Sequence, residues 1–237
     1  MKIDTRYRSN ATEIMDDFSL QGEELRDALD KIAKINQFLG GNKLTLDGLK
    51  QLIKNSTKNK ELTIVDVGCG NGDMLRTLAD FADENGYNFN LIGIDANPFT
   101  VNYAQKLSVG YSNISYLCED IFDESFRKLE YDAVLCTLTL HHFKDDEILY
   151  LLDILNRQAK IGVIVNDLHR SPASYKLFKL LCAVFKLNKM SEQDGLVSIL
   201  RGFKKEDLVL FSKKLNLKNY TIQWKWAFRY QWIISKR

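Results

Sequence analysis

The chain reads as an α/β protein on a doubly wound, mostly parallel sheet of seven strands with a helical cap before it. Three observations predict this. Short β-rich apolar runs alternate with amphipathic helical stretches from residue 62 to residue 165. The first run ends in a glycine-rich turn, Asp66-Val67-Gly68-Cys69-Gly70-Asn71-Gly72. The stretch Tyr220 to Ile234 is rich in Trp, Tyr and Phe without a helical period, which predicts two antiparallel strands joined near Ala227 to Arg229.

At the start, Leu25, Leu29, Ile32, Ile35, Phe38 and Leu39 recur at helical spacing, and Gly40-Gly41 follows as a stop. Leu46, Leu49, Leu52 and Ile53 predict a second short helix. Residues 1–58 are read as a helical cap or lid, and 59–237 as the core. Predicted strands cover Leu62 to Val67, Asn90 to Asp95, Ile114 to Cys118, Tyr131 to Thr137 and Lys160 to Val165. Helices are predicted at 71–84, 98–107 and 145–158 between them, then at 172–187 and 204–215, with 188–202 irregular. The region around 172–203 is expected to be a helical lid insertion, and Phe18, Phe38, Tyr175, Phe178, Leu181 and Phe185 could roof an apolar pocket.

Composition narrows the classes. The 237 residues suffice for one domain with an appended cap, and a net charge of +2 gives no ground for a nucleic-acid face. Cys69, Cys118, Cys136 and Cys182 lie far apart, mostly in apolar runs, which reads as reduced, buried thiols in a cytoplasmic protein. Without C-x-x-C or H-E-x-x-H there is no sequence support for a metal, and no run approaches a membrane span. A monomer or a homodimer is equally compatible with this pattern.

A strand, a glycine-rich turn and a helix form a ligand cradle: glycine lets the backbone approach closely, and the free helix amides donate to an anion. The spacing Gly68-x-Gly70-x-Gly72 differs from the Gly-x-Gly-x-x-Gly of dinucleotide sites, which disfavours an NAD-dependent oxidoreductase. Asp66, before the turn, suits a ligand with an amino group better than a pyrophosphate. Asp95 ends the second strand, where a carboxylate can accept from both ribose hydroxyls. Asp120 and Ile121 follow the third strand, placed for an adenine amino group and ring face.

Four segments in this order resemble the class I S-adenosylmethionine-dependent methyltransferases with their Rossmann-like fold. They are Val65 to Gly72, Gly93-Ile94-Asp95-Ala96-Asn97-Pro98, Glu119-Asp120-Ile121, and Tyr131-Asp132-Ala133-Val134 with Leu140-His141-His142-Phe143. The resemblance implies S-adenosylmethionine as cofactor and S-adenosylhomocysteine as product. It implies that Asp66, Gly68, Gly70 and Asn71, with Cys69 in the same turn, frame the methionine part. Asp95 would hold the ribose, Ala96 and Ile121 flank adenine, Asp120 bond its amino group, and Thr137 lie near the sulfonium. The Leu-His-His-Phe segment is similar to the ubiquinone- and menaquinone-biosynthesis methyltransferases and their small-molecule relatives. Asn166-Asp167-Leu168-His169-Arg170 and Asp194 to Phe203 resemble bacterial methyltransferases associated with polyketide or quinone-type products.

All three histidines, His141, His142 and His169, follow predicted strands four and five, where an acceptor should lie. His169 and His142 are the candidate bases, with loop shaping as the rival role for the His141-His142 pair. Asn166, Arg170, Tyr175 and Arg201 are the candidate acceptor contacts; alternatively Ser171 or Asp167 caps the next helix and Arg170 makes a surface ion pair. The expected activity is methylation of a small phenolic, polyketide or quinone-type acceptor, O-methylation before C-methylation. The remaining readings are a cofactor-binding scaffold without catalysis and a methyltransferase of macromolecules. Nucleic-acid enzymes of this kind often carry Asn/Asp-Pro-Pro-Tyr/Phe after strand four, where this chain has Cys136-Thr137-Leu138-Thr139.

Overall fold

The computed structural model describes residues 3–236. Its helices are α1 (Glu23–Phe38), α2 (Gly41–Ile53), α3 (Asp73–Asn85), α4 (Pro98–Leu107), α5 (Asp145–Gln158), α6 (Pro172–Phe185), α7 (Lys189–Arg201) and α8 (Lys205–Lys214). The strands are β1 (Glu61–Val67), β2 (Asn88–Asp95), β3 (Ile114–Cys118), β4 (Ala133–Thr137), β5 (Gly162–Leu168), β6 (Tyr220–Lys225) and β7 (Arg229–Ser235). They form one seven-stranded sheet in the order β3-β2-β1-β4-β5-β7-β6. The first five strands run parallel, and β7 pairs antiparallel with both β5 and β6.

Both faces of the sheet are covered, as near-continuous apolar parallel strands require. On one face Leu49 and Leu52 of α2 and Leu75 and Leu78 of α3 pack on Leu62, Ile64 and Ile233. On the other, Ile148 and Leu152 of α5 and Leu208 and Phe211 of α8 pack on Val65, Val163 and Trp232. Of the two helices expected to form a cap, α2 therefore covers the sheet, and α1 lies above the strand ends. The strand order reverses between β1 and β4, so a crevice opens at the carboxyl ends of these central strands.

The structure differs from the sequence expectations in three places. Residues 188–202 are helical: Asn188 accepts from the Ser191 amide, capping α7. Gly40 follows the end of α1, as the sequence predicts, and in the left-handed conformation is also the hinge into α2. Strand β5 runs on to Leu168 because β7 pairs with it along its whole length, so Asn166 and Asp167 sit in the sheet and not in a turn. Cys118 is exposed, whereas Cys69, Cys136 and Cys182 are buried. Among the described residues no helix is long and apolar enough to cross a membrane.

Candidate functional site

A large cavity of about 1310 Å³ occupies the crevice above the strand ends. It exceeds the roughly 300–1,000 Å³ typical of a one-ligand site, so a nucleoside and a second molecule fit together.

The end over β1 to β3 is built largely from main chain. Gly68, Gly70 and Gly72 all have positive φ (67°, 53° and 76°), which is the conformation glycine tolerates best. A side chain at Gly68 would collide with Thr139, whose Cγ2 lies 2.6 Å from the position of a Cβ. Thr139 in turn donates to the Val67 carbonyl at 2.9 Å, locking β1 to the loop after β4. Asp95 accepts from the Gly70 amide at 3.2 Å and the Asn97 amide at 3.0 Å, so one carboxylate shapes both the first and second strand-end turns. Burial pushes its carboxyl up, and those amides and the nearby His142 partly reverse the effect. Burial, then Asp73 and Asp95, push Asp66 well above the usual carboxylate range. Its Oδ1 is buried without a partner. Such an orphaned acceptor among carboxylates calls for a cationic donor, and the α-amino group of S-adenosylmethionine is one. Cys69, Asn71, Ala96, Asp120, Ile121 and Thr137 also line the cavity. Asn71 donates to Asp30 of α1 at 3.2 Å, and Tyr103 of α4 donates to the same carboxylate, which fastens α1 over the turn. The residues fit the cofactor.

The other end is built from side chains that come from distant parts of the chain. His141 and His142 lie on a 3-10 turn, Leu140–His142, after β4. The His141 Nδ1 pairs with Asp167 at 2.7 Å, and the Asp167 carboxylate also accepts the His141 and Leu168 amides. Burial opposes the ionisation of Asp167, but His141 and these hydrogen bonds outweigh it and hold the carboxyl below its ordinary range. His141 is thus a buried tie between the turn and β5. His142 pairs through Nδ1 with Asp16 at 2.7 Å, is partly exposed, and lines the cavity. A carboxylate can only accept, so the His142 Nδ1–H donates to Asp16, and in the neutral ring Nε2 is the acceptor.

Asp16 belongs to an N-terminal arm, residues 4–17, that is strapped across this end. Asp194 of α7 accepts the Ile14 and Met15 amides at 2.7 and 3.0 Å. Arg8 donates to the carbonyls of Arg201, His141 and Phe143. Arg201 donates to Asp16 at 2.6 Å and to the carbonyls of His141 and His142. Burial disfavours the Asp16 carboxylate, yet its bonds from His142 and Arg201 prevail and hold its pKa far below the ordinary range. Glu13, His141 and His142 bring three potential metal donors within 4.8 Å of one another. Arg201 Nη1, 3.5 Å from Glu13, already supplies positive charge there, and each histidine Nδ1 is committed to a carboxylate.

His169 has different surroundings. Its Nδ1 accepts from the Trp224 indole at 3.2 Å, with the Phe228 and Tyr230 rings beside it. Indole only donates, so a neutral His169 carries its proton on Nε2 and offers no free lone pair. Burial, then Lys204 and Arg170, hold its imidazole below the ordinary value.

Of the four candidate acceptor contacts, Asn166 and Tyr175 lie outside the cavity, while Arg170 and Arg201 line it with guanidinium groups already bonded elsewhere. Asn166 is fully buried and outside the cavity, since its side chain donates to the Gly41 carbonyl and Thr45 of α2. Tyr175 lies outside the cavity, its ring under Lys179. Arg170 is no surface residue: it is 1% exposed, pairs with Asp207 at 3.0 Å and donates to the carbonyls of Thr5, Arg6 and Gly202. Arg201 borders the cavity with its guanidinium spent on the arm and the histidine turn. Ser171 caps α6, accepting from the Ser174 amide. Sequence reasoning missed Glu13, Asp16, Asp194, Trp224 and Arg229; Asp194 stood in a segment quoted for its resemblance, and Trp224 and Arg229 in a stretch read only as strand.

Comparison with known proteins agrees with this geometry. A family model described as a methyltransferase domain matches residues 58–227. A search of curated proteins finds no match. Among solved structures, the plantazolicin methyltransferase BpumL with S-adenosylhomocysteine is 17% identical, covering 90% of this chain and 96% of its own, with a TM-score of 0.65. Magnesium protoporphyrin IX methyltransferase from Synechocystis PCC 6803 with bound S-adenosylmethionine is 15% identical, covering 86% and 82%, with a TM-score of 0.54. The CurJ carbon methyltransferase is 12% identical, covering 81% and 53%, with a TM-score of 0.60. With a family match over most of its length and a cradle that fits S-adenosylmethionine, this chain belongs to the methyltransferase domain family and is a class I S-adenosylmethionine-dependent methyltransferase.

Proposed function

We propose that the chain methylates a hydroxyl oxygen of a small lipophilic acceptor of phenolic, polyketide or quinone type. The observation that carries this is His142: its Nδ1 is held by Asp16, and its accepting Nε2 belongs to a ring lining the cavity, close enough to Asp95 to affect that carboxyl. Bound S-adenosylmethionine supplies the electrophilic methyl group. His142 Nε2 would take the proton of the acceptor hydroxyl as that oxygen is methylated. Asp16 then stabilises the imidazolium. The apolar residues Phe18, Leu177, Phe178, Leu180 and Leu181 wall the acceptor end, which suits a lipophilic molecule. In this reading residues 1–58 and 172–203 act as cap and lid, and Asp66, Asp95, Asp120 and Thr137 serve the cofactor as the sequence resemblance implies. The names of the structural relatives cover plantazolicin, magnesium protoporphyrin IX and a carbon methyltransferase, so fold alone does not choose the acceptor. C-methylation of a ring is the second reading, because the same base would ionise a ring hydroxyl and enrich the carbon beside it.

Calorimetry with S-adenosylhomocysteine and turnover of a phenol panel test the proposal. His142→Ala is expected to cost about 10²–10⁴-fold in turnover with cofactor affinity unchanged, and His169→Ala far less. Equal losses in the two variants, or none in His142→Ala, would overturn the assignment.

A further inference from the structure

Arg229, the first residue of β7, is 3% exposed and lines the cavity, yet its Nε and Nη1 have no hydrogen-bond partner. The carboxylate acting on it is Asp167, which is already bonded to His141 and the Leu168 amide. Every other buried arginine at this end is saturated: Arg170 and Arg201 spend their guanidinium groups on carbonyls and carboxylates. Burial lowers the Arg229 guanidinium to about 10, so it stays cationic at neutral pH. A buried cation whose one facing carboxylate is already bonded elsewhere is retained at a cost to stability, and the planar guanidinium matches the two oxygens of a carboxylate.

That carboxylate is not the cofactor's. Arg229 pairs with Leu168 at the carboxyl end of β5. Strand β7 is three strands from β1, about 14 Å at the usual spacing, whereas the glycine turn follows β1. From β4, whose end carries Thr137, the offset is two strands, about 10 Å, the length of a two-ring molecule. The β6–β7 turn beside Arg229 is strained, with Ala227 and Phe228 both at positive φ (60° and 54°). Backbone strain of this kind persists where the surroundings enforce it and clusters at ligand sites. Together with Trp224 and Phe228 it makes an aromatic wall over a cationic floor.

We infer that Arg229 is the acceptor's anchor: the acceptor is an acid whose carboxylate binds the Arg229 guanidinium while its hydroxyl reaches His142. This rests on the proposed methyl transfer and names the class of its substrate. The test uses the full chain saturated with S-adenosylhomocysteine and two probes of equal shape, benzoate and benzamide, titrated by calorimetry. Benzoate is expected to bind at least about 10-fold more tightly than benzamide. Arg229→Met should abolish that preference with S-adenosylhomocysteine affinity intact, and Arg229→Lys, which keeps the charge but not the fork, should reduce it. Equal binding of the two probes, binding of neither, or a preference that survives in Arg229→Met overturns the inference. Failure of S-adenosylhomocysteine to bind the wild type would instead count against the cofactor site, so the two failures are distinct.

Discussion

The two ends of the cavity solve recognition differently. Over β1 to β3 the cavity is lined by backbone amides and strand-end carboxylates, each placed by the strand that precedes it. Over β4 to β7, the working groups are side chains brought together by bonds across 126 residues for Asp16 and His142, 180 for Ile14 and Asp194, and 185 for Arg201 and Asp16. The first end is a property of the sheet and tolerates little change. The second is a property of long-range polar ties, and it can be rebuilt for a new acceptor while the sheet stays as it is.

Four substitutions sharpen that contrast, taken from the largest effect downward. Asp16→Asn should lower kcat by about 10²-fold, the scale of a misplaced catalytic group, leaving S-adenosylhomocysteine affinity alone; loss of cofactor affinity would merge the two ends. The same variant has a pH signature. Because the folded-state pKa of Asp16 is depressed, its stabilisation is complete above about pH 4, the unfolded value, and is lost as pH falls through the folded one. Melting temperature in acid should therefore fall less steeply in Asp16→Asn. Next, Asp95→Ala should weaken cofactor binding about 10- to 100-fold, as for hydrogen bonds to a charged group, with the His142–Asp16 pair untouched.

Asp66→Asn should weaken cofactor binding about 10-fold while raising the melting temperature of the free protein by about 2–4 °C per kcal/mol gained. The sign follows from a raised folded-state pKa: the ionised carboxylate destabilises the free protein as pH rises above its unfolded value, and the amide removes that cost. An unchanged or lowered melting temperature would mean that Asp66 has a partner in solution. The smallest effect is Asp194→Ala. It leaves the Ile14 and Met15 amides unmatched, at about 1–3 kcal/mol, and should lower the melting temperature and turnover with cofactor affinity spared.

The same contrast explains what could be read from the sequence. Gly68, Gly70, Asp95 and Ile121 were legible because a turn or a strand end dictates its own residue types, and all of them line the cavity. The antiparallel end of the sheet was visible in the aromatic run. Asp16 and Glu13 carried no local signal, since an acidic residue in an irregular segment means nothing until α7 and the histidine turn meet it. Asn166 and Arg170 misled for the converse reason: polar residues after an apolar strand resemble a site, but β7 prolongs the strand and a deep network consumes their donors. Arg229 was hidden in an aromatic stretch that pattern alone assigns to plain sheet.

The arm that carries Asp16 has a consequence for the order of folding. It is held by polar ties and little buried apolar surface, and its anchors Asp194 and Arg201 lie near the opposite end of the chain. Contacts of such high sequence separation close late, and segments so held open most readily in the native state. Amide exchange should therefore find residues 13–17 among the least protected of the ordered backbone. The carboxylate that orients the base would then come and go with the arm, so that admitting an acceptor and arming His142 become one motion.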